Sequence, residues 1–207
     1  MVNYASASQR YLQSLGSNPK AAERVAQGLE RITEHANHAS EVIKRLRAFL
    51  RKGQRKMQAL DLAEVAREAV RLCAWEASAS QVAIEEQFPD NLPPVYADRV
   101  LLEQVLLNLL RNAIDANREA HPGQGSLIRL VARAGDGHLA IEVRDQGPGL
   151  GEEELARIFT PFYTSKPDGL GLGLSMSRSI IEGFGGSLDG MPDAEGGLLM
   201  RCRLPLQ

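Results

Sequence analysis

Three short segments, in a fixed order, constrain this chain more than anything else in it. Residues 102–116 read as one helix carrying Asn108 and Asn112 four residues apart. Asp145-Gln-Gly147-Pro-Gly149 follows, then Gly169-Leu-Gly171-Leu-Gly173-Leu-Ser175. Positions i and i+4 share a helix face, so the two amides stand together while Leu106, Leu109, Leu110 and Ala113 point elsewhere and pack. Each segment alone is weak. Asparagines occur on ordinary helices, the Asp-Gln-Gly-Pro-Gly run is also a plain tight turn, and a lone Gly-x-Gly-x-Gly is also a flexible loop. Together they describe a helix face, a strand-end turn and a glycine loop around one nucleotide pocket.

The residue types suit that pocket. An amide oxygen is a hard, neutral ligand that can hold Mg²⁺ while nucleotide phosphates supply the negative charge. Asn112 is the expected metal ligand and Asn108 a helper near the γ-phosphate. A carboxylate at Asp145 accepts from the exocyclic amine of adenine and repels a guanine carbonyl. Gly147 and Gly149 let backbone approach the base. Gly169, Gly171 and Gly173 lead into a helix expected from Ser175, and glycine-rich backbone at a helix N-terminus cradles phosphate. Leu174 and Ser175 belong to the same cradle. No Gly-Lys-Ser/Thr follows, so this is not a Walker loop, and no strand leads straight in, so it is not a dinucleotide fingerprint. Residues 150–169 read as a lid. Phe159 and Phe162 are its anchors or, equally well, core aromatics; Lys166 reaches a phosphate or is a solvated lysine. The expected catalytic residues are Asn108, Asn112 and Lys166, and the expected ligands are ATP and Mg²⁺.

The chain divides into two textures. Between residues 20 and 52, Val25, Leu29, Ile32, Ala36, Ala39, Ile43, Leu46 and Leu50 fall at alternating gaps of 4 and 3, a heptad seam. Asn18-Pro19 precedes that helix and Gly53 ends it. Residues 2–15 form a weaker helix, and 16–19 the turn. Residues 1–56 are thus expected to be a helical hairpin, whose unpartnered seam points to a homodimer and a four-helix bundle. From 57 to 207 helices mix with mostly antiparallel strands, which predicts an α+β fold, a two-layer α/β sandwich. Asp61 and Glu64 open a helix as a capping box running to about Ala77. Strands are expected at Val82–Phe88, Val95–Ala97, Ser126–Arg133, His138–Arg144, around 187–189 and at Leu198–Leu204. Further helices follow the cap Asp98, span Glu152–Phe159 and span Ser175–Phe184.

Composition excludes several classes. The 207 residues are 43% hydrophobic with a net charge of −2. That balance favours neither nucleic acid nor an anionic membrane. Nothing resembles a membrane span or a signal peptide, so a cytoplasmic location is expected, with membrane anchoring left open for a longer protein. Cys73 and Cys202 are too few and too far apart for a disulfide framework or a metal cluster, and read as buried, reduced thiols.

At these residues the chain resembles the sensor histidine kinases of two-component systems, within the superfamily of gyrase, Hsp90 and MutL ATPases. Residues 98–205 match the asparagine box, first glycine box, phenylalanine box and second glycine box in order, ending on Gly196-Gly197 and Leu204-Pro205. Ile43 to Gly53 followed by Leu60-Asp-Leu is similar to the second bundle helix and domain junction of the oxygen- and nitrogen-sensing subgroup. The resemblance implies a Bergerat ATP-binding fold. It also implies transfer of the γ-phosphoryl of Mg-ATP to a histidine, then to an aspartate of a response regulator receiver domain, under an upstream sensor domain not contained in this chain.

Three details refine this resemblance. Superfamily hydrolases carry a catalytic Glu four residues before the metal asparagine; Asn108 stands there, which favours phosphoryl transfer over hydrolysis. Some histidine kinases carry a basic or aromatic residue shortly after that asparagine; here Asp115 and Ala116 stand there, leaving phosphate contacts to Lys166. The family's His-Glu-x-x-x-Pro acceptor segment is missing. His35 and His38 read as bundle-surface residues, His121 as part of a turn, and His138 as the start of a strand. The expected explanation is truncation, with the acceptor opposite Ile43–Leu46 and the cluster Lys44, Arg45, Arg47, Arg51 and Lys52. Rival readings are an ATPase-driven clamp, a serine-directed kinase of the same superfamily, and a non-enzymatic nucleotide-sensing module.

Overall fold

A computed structural model describes residues 25, 27–29, 32, 56–166 and 169–206. It divides into two compact units, Met1–Gln54 and Arg55–Gln207. In the first unit the described residues Val25, Gln27, Gly28, Leu29 and Ile32 are helical. The rest of the expected hairpin, including its turn, His35, His38 and the basic cluster at 44–52, lies outside the described residues.

The second unit is built from strands β1 (Met57–Leu60), β2 (Val82–Gln87), β3 (Val95–Asp98), β4 (Ser126–Gly135), β5 (His138–Arg144), β6 (Ser187–Pro192) and β7 (Leu198–Pro205). Its helices are α1 (Leu62–Ala79), α2 (Arg99–Ala120), α3 (Glu152–Arg157) and α4 (Gly173–Glu182). Five strands form one sheet in the order β2-β4-β5-β7-β6. Only β2 and β4 run parallel, and parallel neighbours need a long crossover, which β3 and α2 supply. β1 and β3 pair separately as an antiparallel ribbon. Strand β1 was not legible in the sequence: four residues with one buried side chain carry no periodicity. The Gly135-Asp136-Gly137 turn joins β4 to β5. Asp136 and Gly137 both take positive φ, 50° and 72°, the two-residue hairpin geometry whose twist matches the strands.

Why α2 forms where it does follows from its ends and its pattern. Asp98 caps it, its Oδ1 accepting from Val100 and Leu101 N–H at 3.1 and 3.2 Å. Its Oδ2 accepts from Lys56 N–H at 2.9 Å, so one carboxylate ends β3, starts α2 and holds the entry to β1. Leu102, Val105, Leu106, Leu109, Leu110, Ala113, Ile114 and Asn117 are buried, one continuous stripe at helical spacing. They pack with Leu62, Val65, Ala69 and Cys73 of α1 and Ile180 and Ile181 of α4 over Ile128, Leu130, Leu139 and Ile141 of the sheet. The helices thus cover one face of the sheet, the expected two-layer arrangement.

On the opposite face Glu142 is buried between two guanidinium groups. It accepts from Arg144 at 2.6 Å and from Arg201 at 2.7 Å. Burial raises its pKa, but the two arginines outweigh that and leave it below the ordinary value. Both cysteines are buried and free; burial pushes the Cys202 thiol up to about 12, so it stays protonated. The Asp61–Glu64 capping box forms only by half. Asp61 caps α1 through Ala63 and Glu64 N–H, while the Glu64 side chain instead takes Arg99 at 2.9 Å. Among the described residues no helix is long and apolar enough to cross a membrane.

Because Asp98 terminates three elements at once, Asp98→Ala is expected to destabilise the second unit by about 1–2 kcal/mol, the upper range for a helix cap. Thermal unfolding followed by circular dichroism measures this; a change within a few tenths would show the cap to be dispensable.

Candidate functional site

The exposed stripe of α2 carries Asn108, Asn112 and Asp115, at i, i+4 and i+7. Asn108 Nδ2 donates to Ser177 Oγ at 3.1 Å, and a Cβ on Gly173 would lie 2.5 Å from Asn108 Oδ1. Only glycine lets α4 start against that amide. Asn112 is freer: its Oδ1 accepts from Lys166 Nζ at 3.3 Å. That ammonium also pairs with Asp115 Oδ2 at 2.6 Å. The three expected catalytic side chains therefore converge on one helix face, with Asp115 added to them.

Asp145 follows the last residue of β5 and is buried. Its Oδ1 accepts from Gly147 N–H and from Leu198 N–H, each at 2.9 Å. No hydrogen bond to Oδ2 is present among the described residues. Burial pushes this carboxyl above its ordinary pKa; the two N–H donors oppose the shift and nearby Asp193 adds to it. A Cβ on Gly147 would lie 2.7 Å from Ala116 Cβ, so the turn rests directly on α2. Gly149 takes φ +73° beside the Gly197 carbonyl. The arrangement fixes one carboxylate oxygen and leaves the other without a hydrogen bond among the described residues.

Sequence reasoning missed what holds this turn in place. Asn117 is completely buried. Its Oδ1 accepts from Gln146 N–H at 2.7 Å, and its Nδ2 donates to Ser126 Oγ and Leu127 C=O, both at 3.1 Å. Gln146 Oε1 accepts from Leu127 N–H at 2.8 Å, and His121 Nε2 lies 2.8 Å from Gln146 C=O. The residue after Asp145 is thus gripped at its N–H, its carbonyl and its side chain. One signal was available: Asn117 falls on the apolar stripe of α2, where a polar residue needs partners.

The glycine loop differs from expectation at its end. Helix α4 begins at Gly173 and not at Ser175. Met176 N–H makes its first intrahelical bond, to Leu172 C=O, so helix geometry leaves the N–H groups of 173–175 without an intrahelical acceptor. Leu174 packs against the core and Ser175 Oγ donates to Leu172 C=O at 3.1 Å. What these two residues offer an anion is therefore backbone. Gly171 takes φ +64° against the Phe162 and Tyr163 backbone, and its carbonyl accepts from Phe162 N–H at 2.9 Å. Gly169 N–H donates to Lys166 C=O at 3.0 Å.

Phe162 is not an anchor. It is 75% exposed, in a left-handed conformation at φ +67°. Phe159 and Tyr163 do the anchoring, both packed against the core. Arg178 stacks on Phe159 at 4.0 Å and Arg157 on Tyr163 at 4.6 Å. Alternation could not separate three aromatics within five residues.

Residues 97–207 match the family described as histidine kinase-, DNA gyrase B-, and HSP90-like ATPases. The chain belongs to that family. It is 39% identical over 180 residues to the C4-dicarboxylate transport sensor protein DctS of Rhodobacter capsulatus, covering 87% of this chain and 27% of DctS. It is 34% identical over 203 residues to the sensor protein FixL of Bradyrhizobium diazoefficiens, covering 98% of this chain and 39% of FixL. The chain therefore spans well under half the length of either relative. Among solved structures it resembles the nucleotide-free catalytic domain of the histidine kinase ThkA, at TM-score 0.65 and 30% identity over 72% of this chain and 95% of that one. Within the ATPase family the chain stands with the sensor histidine kinases, and its family implies ATP binding.

Asn117 bridges α2, β4 and the Asp145 turn, so Asn117→Leu leaves Gln146 N–H and Leu127 C=O unpaired. A loss of about 2–4 kcal/mol is expected, from buried groups worth roughly 1–3 kcal/mol each. Urea unfolding checks it; a neutral result would mean the turn holds without Asn117.

Proposed function

We propose that this chain is the catalytic portion of a sensor histidine kinase. It binds ATP with Mg²⁺ and passes the γ-phosphoryl to a histidine on a bundle helix, for relay to an aspartate of a response regulator. The observation that carries this reading is Asp145, a buried carboxylate with one oxygen fixed by two backbone N–H groups and the other without a hydrogen bond among the described residues. That oxygen would accept from the adenine amine; a guanine carbonyl placed there would be repelled.

Gly147 and Gly149 leave room for the base, and the backbone of Gly169, Gly171, Gly173, Leu174 and Ser175 faces the phosphates. Phe159 packs against the core under Arg178, and Phe162 lies exposed with its N–H on the Gly171 carbonyl. Asn112 would hold the metal through Oδ1. Its oxygen already accepts from a cation, and the described residues contain no cluster of three or more His, Cys, Asp or Glu that could hold one alone, so phosphate oxygens complete the donor set. Bound there, Mg²⁺ neutralises phosphate charge as it develops in transfer. Asn108 fixes the start of α4 beside the γ-phosphate, and Lys166 supplies a mobile positive charge for it.

Residues 1–207 contain no His-Glu-x-x-x-Pro segment, so none of their four histidines is proposed as the acceptor. Residues 1–56 would form the dimerising hairpin. ThkA has been solved in complex with the response regulator protein TrrA, which supports a receiver domain as the partner proposed for this chain.

Asp145→Asn keeps the Oδ1 acceptor for Gly147 and Leu198 but faces the adenine amine with a second donor. ATP affinity is expected to fall about 10- to 100-fold, the roughly 1–3 kcal/mol of an unmade buried hydrogen bond. Stability should not fall with it. A raised folded-state pKa means that the wild type is penalised while Asp145 is charged and recovers stability as pH drops through that pKa. The advantage of Asp145→Asn in thermal unfolding is thus largest near neutral pH and shrinks on acidification. Unchanged ATP affinity by calorimetry would sink the adenine assignment.

The kinase assignment is tested by label transfer. This chain and Mg²⁺ with γ-labelled ATP are mixed with a longer version that carries the acceptor helix and Asp145→Ala. Acid-labile label on the longer chain, and none on this one, is expected. Steady phosphate release sensitive to Asn112→Ala, without label, would instead favour an ATPase.

A further inference from the structure

Asp115 is the residue that neither the asparagine pattern nor the family resemblance gave a role. It continues the stripe of Asn108 and Asn112 by one turn, where an acid beside phosphates is electrostatically unfavourable. The structure places Lys166 Nζ 2.6 Å from Asp115 Oδ2 and 3.3 Å from Asn112 Oδ1. A single ammonium thus lies against the oxygen proposed for the metal and against the neighbouring carboxylate. Asp115 has a second partner, Arg118, at 2.8 Å on its other oxygen.

We propose, resting on the reading of this pocket as a Mg²⁺-ATP site, that Asp115 is a positioning residue. It holds the Lys166 ammonium against Asn112 as an internal cation that Mg²⁺ displaces when it arrives with ATP. The chemistry of both partners fits exchange. An amide oxygen and a carboxylate oxygen on one helix face attract a divalent cation more strongly than a monovalent one. The Lys166 and Asp115 side chains are 45% and 34% exposed, and a pair so exposed contributes little net stability, so it opens readily. Arg118 keeps the carboxylate paired afterwards. Lys166, once released, is free to turn its charge to a phosphate oxygen. The pair therefore makes Mg²⁺ and the lysine alternative occupants of one position, and links phosphate binding to metal binding.

The quantity to measure is the ratio of the ATP dissociation constant in EDTA to that in Mg²⁺, by calorimetry on the full chain. Asp115→Asn releases Lys166 and removes the repelling acid, so metal-free ATP binds more tightly. It also strips a carboxylate from beside the metal, so Mg²⁺-ATP binds more weakly. The ratio is expected to fall at least fivefold, within the usual range of site-to-site coupling. Lys166→Met removes the competing ammonium and the lysine proposed for the phosphate, so the ratio is expected to rise. The double variant returns it towards the wild-type value. Circular dichroism confirms folding of each variant, and both sites are exposed enough to tolerate the changes. Ratios unchanged in both single variants, or shifted in the same direction, would overturn the proposal. A wild-type chain that binds no ATP under either condition would overturn the nucleotide reading itself, a result distinct from an altered ratio.

Discussion

Helix α2 is where stability and chemistry meet, because its two faces obey opposite rules. One face buries six large aliphatic residues and Ala113 among α1, α4 and the sheet. The other must expose oxygen acceptors. A helix rotated by a fraction of a turn would bury the amides and expose leucine. The apolar stripe therefore sets the orientation of Asn108, Asn112 and Asp115 far more firmly than their own hydrogen bonds do. The energy of the core, roughly 1.5–3 kcal/mol for each fully buried aliphatic side chain, holds side chains whose individual contacts are worth about 1 kcal/mol.

The Asp145 turn is held by a different means. No hydrophobic stripe can position a charged, buried carboxylate, whose burial is unfavourable. Hydrogen bonds do it instead: Gly147 and Leu198 N–H on Oδ1, and the grip of the Asn117 and His121 side chains and of Leu127 N–H on Gln146. Every one of those contacts comes from α2 or its C-terminal cap, the start of β4 or β7, or the turn itself. The turn is consequently held by the fold, while the loop from Phe159 to Gly173 is tied to the core through Phe159 and Tyr163 and to α2 through the Asn108–Gly173 approach.

How much of this was readable from sequence follows from what carries the signal. Helix α2, its Asp98 cap, strand β5 and the Gly135–Gly137 turn stand in periodicity and turn chemistry, and they emerged within a residue or two. Strand β1 did not, since a four-residue ribbon has no local pattern to show. Within the site, Asp145 and the two asparagines were legible by residue type. Asn117 left one sign, a polar residue on the apolar stripe of α2, but its partners and the roles of His121 and Gln146 lie in contacts between α2, β4 and the turn that no spacing encodes. Phe162 was misplaced for the same reason: hydrophobicity says that an aromatic in this stretch is buried, but only packing says which one.

The site's remaining property is what it withholds. Hydrolysis needs a base to take a proton from water as it attacks phosphorus. At the position where superfamily hydrolases carry that acid, Asn108 stands with its amide engaged by Ser177 and pressed against Gly173. The acid further along the stripe, Asp115, is already paired with Lys166 and Arg118. Neither Asn108 nor Asp115 therefore offers a water molecule in this pocket a free carboxylate. A neutral imidazole needs none, since its attacking nitrogen brings a lone pair and its proton sits on the other nitrogen. Under the proposed reading, backbone, Lys166 and Mg²⁺ would supply charge stabilisation, and what is left to supply is placement of the nucleophile, which effective concentration can make large. Such a pocket would be quiet towards water and would respond to whatever presents a histidine to it.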